Sequence, residues 1–255
     1  MRRSGSQAGD GLHRPGVKEK WGDAFVFDSI LLEEGGPAYY VQLYKGEIDV
    51  ANDPVYRAAL EKFAQLAPYF NADHSALTWD QAVGLVGAEQ AAMTLMGTWA
   101  IGAFTKGSNW EPGVDFGAVT FPQVPERILL FHPDTYGITV KAPDPAATMD
   151  WLVVASPRLQ IPTDVIQGGL FCRTDIDPTE FPDPIRQELQ TYVRRQSRQA
   201  DSGPARQHLA LGGEKPAYWD LIAFLAQPDV DGTIRAVADM MSTYDVKNAS
   251  AWYTW

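Results

Sequence analysis

Leu77-Thr78-Trp79-Asp80-Gln81-Ala82, followed by Ala91-Ala92-Met93-Thr94-Leu95-Met96-Gly97-Thr98-Trp99-Ala100, carries the clearest structural signals in the chain. Thr78 with Gln81 forms a capping box, which predicts a helix running to about Val86. Ala91–Met96 is an apolar run closed by Gly97, which predicts a strand, and Gly97-Thr98 then hands over to another helix at Trp99. Both tryptophans therefore stand at loop-to-helix junctions, where a side chain can project into a cleft. An indole face packs well on the C–H face of a sugar ring, whose hydroxyls need polar partners around the edge. The same local pattern also fits an aromatic in the core of an amphipathic helix.

Working outward, the sequence repeatedly writes Asp-Pro at helix starts: Asp53-Pro54, Asp144-Pro145 and Asp183-Pro184. Each supplies a capping carboxylate followed by proline at the first helical position. Tyr56, Ala59, Leu60, Phe63 and Leu66 follow the first at helical spacing. Met149, Leu152 and Val153 follow the second, in a helix that stops before Pro157. Ile185, Leu189, Tyr192 and Val193 follow the third, and Val230, Ile234, Val237 and Met241 form a late helical stripe. Further strands are expected at Phe116–Phe121, Ile128–Phe131 and Tyr136–Val140. Residues 197–216, rich in Gly, Pro, Ser, Gln and Arg, read as a long loop. The pattern is that of a helix-rich α/β domain with a small sheet.

With 45% hydrophobic and 21% charged residues, the 255-residue chain has the composition of an ordinary globular protein. Its formal net charge of -11 repels phosphate backbones and anionic lipid, so neither nucleic acid nor a membrane surface is an expected partner. A neutral or cationic ligand suits it better. The single cysteine, Cys172, reads as a small buried hydrophobe and allows no internal disulfide. Arg2-Arg3 is not followed by an apolar run, so residues 1–20 read as a disordered leader and the sequence as written predicts a cytoplasmic location. The longest apolar stretch, Ala91 to Phe104, is interrupted by glycine and too short to cross a bilayer, so no membrane insertion is expected.

The motifs of enzymes are largely missing: no G-x-S-x-G, no H-E-x-x-H, no Walker loop and no C-x-x-C. Gly35-Gly36 and Gly212-Gly213 read as helix ends or turns. Glu33-Glu34, adjacent on a helix, point in different directions and make no acid/base pair. His13, His74 and His208 lack metal-ligand spacing, so neither a metal nor a cofactor is expected. Asp134, in His132-Pro133-Asp134-Thr135-Tyr136, sits on a turn between two expected strands. Its carboxylate can accept two hydroxyl hydrogen bonds from a sugar, or serve only to shape the turn.

These motifs, in this order, resemble the family 1 extracellular solute-binding proteins of sugar ABC transporters, especially the glucose- and mannose-type branch. There a helix opens with Leu-Thr-Trp, and a strand reading Ala-Met-x-x-Met-Gly-x-Trp leads into the ligand cleft. The resemblance continues through Phe116-Gly117, Phe121-Pro122, Asp134-Thr135-Tyr136-Gly137, Ala155-Ser156-Pro157 and Gly168-Gly169 before Arg173-Thr174-Asp175. It takes in Phe27 to Tyr40 and extends from about Trp21 to Met241.

The resemblance implies an α/β fold of the periplasmic-binding-protein-like type II class, mainly its helix-rich C-terminal lobe, over residues 21–255 with a remnant of the inter-lobe segment. It implies non-covalent binding of a mono- or oligosaccharide, ABC permease subunits as partners of a full-length protein, and a periplasmic or extracellular site of action. Trp79 and Trp99 become the aromatic walls of the sugar site, and Asp134 its hydroxyl-binding carboxylate. Gln167 stands where this branch often has a lysine facing the ligand; an amide binds hydroxyls without the charge. The family's late histidine-glycine pair corresponds to Gly212-Gly213, so the histidine is lost. The family's N-terminal lobe has no counterpart in residues 1–20, and a ligand covered on one side only is expected to bind weakly. Two other readings stay open: a stand-alone or degenerate domain that binds a protein partner, and a glycan-acting enzyme using Asp134 with a second carboxylate.

Overall fold

The computed structural model describes residues 12–13, 21–71, 73, 76–120, 130, 138–139, 141–154, 170, 176–200 and 228–243. The first element, β1 (Leu12–His13), pairs in parallel with β2 (Met93–Thr94), Leu12 opposite Met93 and His13 opposite Thr94. The stretch read as an unstructured leader thus contributes a strand at these two residues. Between the two strands lie α1 (Trp21–Tyr44), α2 (Pro54–Leu66) and α3 (Trp79–Gly87). After β2 comes a single helical turn, α4 (Ala100–Gly102), which widens into a π-helix over Ala103–Gly107. Among the described residues three longer helices follow: α5 (Pro145–Val154), α6 (Pro184–Ala200) and α7 (Val230–Thr243).

The Asp-Pro starts form as their chemistry dictates. Asp53 accepts a hydrogen bond from the Tyr56 amide at 2.6 Å, Asp144 from Ala147 at 2.9 Å and Asp183 from Arg186 at 2.9 Å. Asp183 also pairs with the Arg186 guanidinium, both side chains being buried. The expected strand at Phe116–Phe121 does not form over its described part. Phe116 makes one isolated bridge to Pro112, while residues 117–119 are exposed and Val119 is 77% accessible. With one apolar anchor and no covered face, the segment has nothing to hold a ladder. The strands expected at Ile128–Phe131 and Tyr136–Val140 lie outside the described residues except for Leu130, Ile138 and Thr139, which belong to no regular element.

α1 is two helical arms joined at Gly36, whose backbone (φ 73, ψ 176) is non-helical, with Pro37 opening the second arm. A straight helix would separate Asp28 from Tyr44 by roughly 24 Å. Instead the Tyr44 hydroxyl donates to the Asp28 carboxylate, so the chain reverses and the arms lie against each other. The largest core forms between this hairpin, α2 and α7. Phe27, Ile30 and Leu31 of α1 meet Tyr56, Leu60 and Phe63 of α2 and Ile234 and Val237 of α7. Phe27 packs edge-on to Tyr56, ring centroids 5.6 Å apart, and lies 5.5 Å from Phe63.

A second core joins Val83 and Val86 of α3 to Ala91, Ala100 and Phe104. A third joins Ile101 to Ile185, Leu189 and Tyr192 on α6, the helical face expected there. α5 differs: Met149, Trp151 and Val153 are 52%, 58% and 66% exposed, so its apolar residues lie at the surface. Glu33 and Glu34, expected to diverge, both reach the Lys62 ammonium, at 3.0 and 2.9 Å, so their carboxylates converge on one cation. No helix among the described residues is long and apolar enough to cross a membrane.

Candidate ligand-binding site

Trp79 is the first residue of α3, held there by its cap. The Thr78 amide donates to Gln81 Oε1 at 2.9 Å, and the Thr78 hydroxyl donates to Asp80 at 2.5 Å. That hydroxyl bond, more than any other contact, lowers the Asp80 pKa and keeps the carboxylate charged at the helix start. Trp99 is the residue before α4, in a run of tight turns. Ala100, Ile101 and Gly102 donate their amides to the carbonyls of Gly97, Thr98 and Trp99 at 3.0, 3.1 and 3.1 Å. The junctions read from the sequence are thus where the two tryptophans stand, and both side chains are half-buried.

The two indoles touch. Their ring centroids are 6.4 Å apart and their planes cross at 85°, an edge-to-face contact. Two walls facing each other across a sugar would need near-parallel planes with a gap between them. Here the planes are nearly perpendicular, so the rings form a corner rather than two parallel walls. Trp79 also packs on the second core, so one arm of the corner is anchored in the interior.

Two residues not expected from the sequence complete the cluster. Trp21 and Phe25, one turn apart at the start of α1, have ring centroids 6.0 and 5.9 Å from that of Trp99 and 5.2 Å from each other. The available signal was the i,i+4 aromatic spacing at a helix start. What it could not show is that α1 meets a turn so far along the chain.

Asp134 and Gln167, the polar half of the expected site, lie outside the described residues. So do Cys172 and the Gly212-Gly213 pair. Among the described residues, no three His, Cys, Asp or Glu side chains gather where they could hold a metal ion. Among the described residues the corner is built of aromatic rings.

Comparison with known proteins gives the arrangement a context. Residues 12–156, more than half the chain, match the family described as bacterial extracellular solute-binding protein. An uncharacterized ABC transporter extracellular-binding protein of Pyrococcus horikoshii is 39% identical over 175 residues, covering 68% of this chain and 38% of that one. A "probable sugar-binding periplasmic protein" of Mesorhizobium japonicum is 28% identical over 166 residues, 64% of this chain and 39% of its own. The chain thus spans well under half the length of these relatives. In structure it resembles the bacterial solute receptor AcbH, whose substrate preference is for β-D-galactopyranose, with a TM-score of 0.60 at 17% identity over 92% of this chain and 61% of that one. That likeness establishes the α/β, periplasmic-binding-protein-like type II fold expected from the sequence.

Proposed function

Because the chain belongs to the bacterial extracellular solute-binding proteins, we propose that it binds a mono- or oligosaccharide non-covalently, as the substrate-binding component of an ABC sugar importer. The corner made by Trp79 and Trp99 carries this reading. Half-buried indoles at loop-to-helix junctions offer apolar faces to a ligand whose own C–H face is apolar. One pyranose stacks on one indole and meets the other edge-on. Asp134 and Gln167 bond its hydroxyls, the carboxylate more strongly than the amide. The acidic chain accepts a neutral sugar and disfavours an anionic one. No bond is made or broken.

In this reading residues 21–255 are mainly a C-terminal lobe, working outside the cytoplasm alongside permease subunits. The names of the relatives support that setting.

Saturation-transfer NMR of the 255-residue chain with D-galactose and with D-glucose tests the reading directly. Transfer should concentrate on the C–H protons of one sugar face and vanish in Trp99→Ala, compared at a temperature where far-UV circular dichroism shows both proteins folded. Equal transfer from both proteins, or none from the parent with any pentose, hexose or disaccharide, would remove the sugar assignment.

A further inference from the structure

Trp99 is fixed by residues that a sugar need never touch. A Cβ built on Gly97 would overlap the six-membered ring of the Trp99 indole, lying 2.6 Å or less from Cε3, Cζ3 and Cη2. The ring therefore occupies the space that any other residue at position 97 would fill. On another side stands the Trp21–Phe25 pair. The Trp21 ring meets Trp99 at 64° and the Phe25 ring at 53°. These two residues sit one turn apart at the start of α1, and Val26 and Phe27, which follow Phe25, belong to the largest core. The pair is thus tied to the most deeply packed part of the molecule.

We infer that Trp21 is a positioning residue, which sets the orientation of the Trp99 indole from α1, with Gly97 supplying the space the ring occupies. The consequence for ligand rests on the sugar-binding reading above; the positioning itself does not. An indole on a short turn, without a lateral neighbour, samples several rotamers and must be ordered when a ligand stacks on it. Ordering it beforehand removes that loss. The expected benefit is roughly two- to tenfold in affinity, the range for immobilising one large side chain. Trp79 meets the same ring nearly at right angles and adds to this ordering, while Trp21 supplies the contact from α1.

The test uses the full chain carrying Trp21→Ala, Trp21→Leu, Trp21→Phe or Gly97→Ala, each with nitrogen-15 in the indoles. The Trp99 Nε1–H signal is identified by its loss in Trp99→Phe, and its relaxation reports how ordered the ring is. Order should fall in Trp21→Ala and Trp21→Leu, return in Trp21→Phe, and change in Gly97→Ala. Where Trp21→Ala fails to fold, Trp21→Leu, which keeps apolar bulk at the site, decides the matter. In D-galactose and D-glucose titrations the Leu variant should bind two- to tenfold more weakly, and the Phe variant close to the parent. An unchanged Trp99 order parameter in folded Trp21→Leu overturns the inference, as does undiminished affinity there when the parent binds saturably. A parent that binds no sugar removes the sugar reading instead, and the relaxation arm still decides the role of Trp21.

Discussion

Among the described carboxylates, Asp28 departs furthest from ordinary behaviour. It is 1% exposed inside the largest core, where burial, above all, pushes its pKa from 3.8 up to about 7. Hydrogen bonds from Tyr44, and then from Tyr40, pull the other way without restoring the usual value. Burial and the Asp28 charge in turn raise Tyr40 well above its ordinary range, so the phenol stays a donor. The folded protein holds a proton that the unfolded chain releases at its ordinary carboxylate pKa. The associated stability is full below the unfolded pKa of 3.8 and disappears as pH rises through about 7. Between about pH 5 and about pH 8, urea denaturation should show the parent losing roughly 2–3 kcal/mol relative to Asp28→Asn, which accepts the same Tyr44 bond without the charge. Parallel pH profiles for the two proteins would mean that Asp28 stays ionised in the fold.

At the scale of elements, the sharpest device is the reversal of α1. Gly36 holds a backbone conformation (φ 73, ψ 176) open essentially to glycine alone, and a Cβ there would meet no atom within 4 Å. The cost of Gly36→Ala is therefore conformational rather than steric and should come to about 1–3 kcal/mol. Far-UV circular dichroism of the folded variant should match the parent while its urea midpoint falls. An unshifted midpoint would show the two arms held without the turn. This helix also marks the limit of what the sequence revealed. Asp53-Pro54, Asp144-Pro145 and Asp183-Pro184 announce helix starts because a cap is a contact within three or four residues. The capping box at Thr78 placed Trp79 correctly for the same reason. The strand at Phe116–Phe121 failed because a strand needs partners from elsewhere in the chain, which no local pattern states. Trp21 and Phe25 escaped notice on the same principle: their spacing says helix, and only folding says that they meet Trp99.

Across the whole molecule, closure depends on α7, which returns from the far end of the chain to pack on α1 and α2. Two kinds of contact hold it. On the surface, Arg57 Nη2 lies 2.8 Å from Asp231 Oδ1, with the side chains 44% and 64% exposed. Beneath it, Ile234 and Val237 are 4% and 1% exposed among Tyr56, Leu60 and Phe63. An exposed ion pair contributes 0 to about 1 kcal/mol, because water and salt screen it and two long side chains must be ordered to form it. A buried isoleucine cut to alanine loses its transfer free energy and leaves a cavity, about 2–5 kcal/mol together. Urea denaturation should therefore separate Asp231→Asn, with a midpoint close to the parent's, from Ile234→Ala, with a midpoint well below it. Raising the salt concentration should narrow the small Asp231→Asn difference and leave the Ile234→Ala one in place. If instead Asp231→Asn proved the more damaging, closure of this domain would rest on charge at its surface rather than on the apolar seam between its first helices and its last.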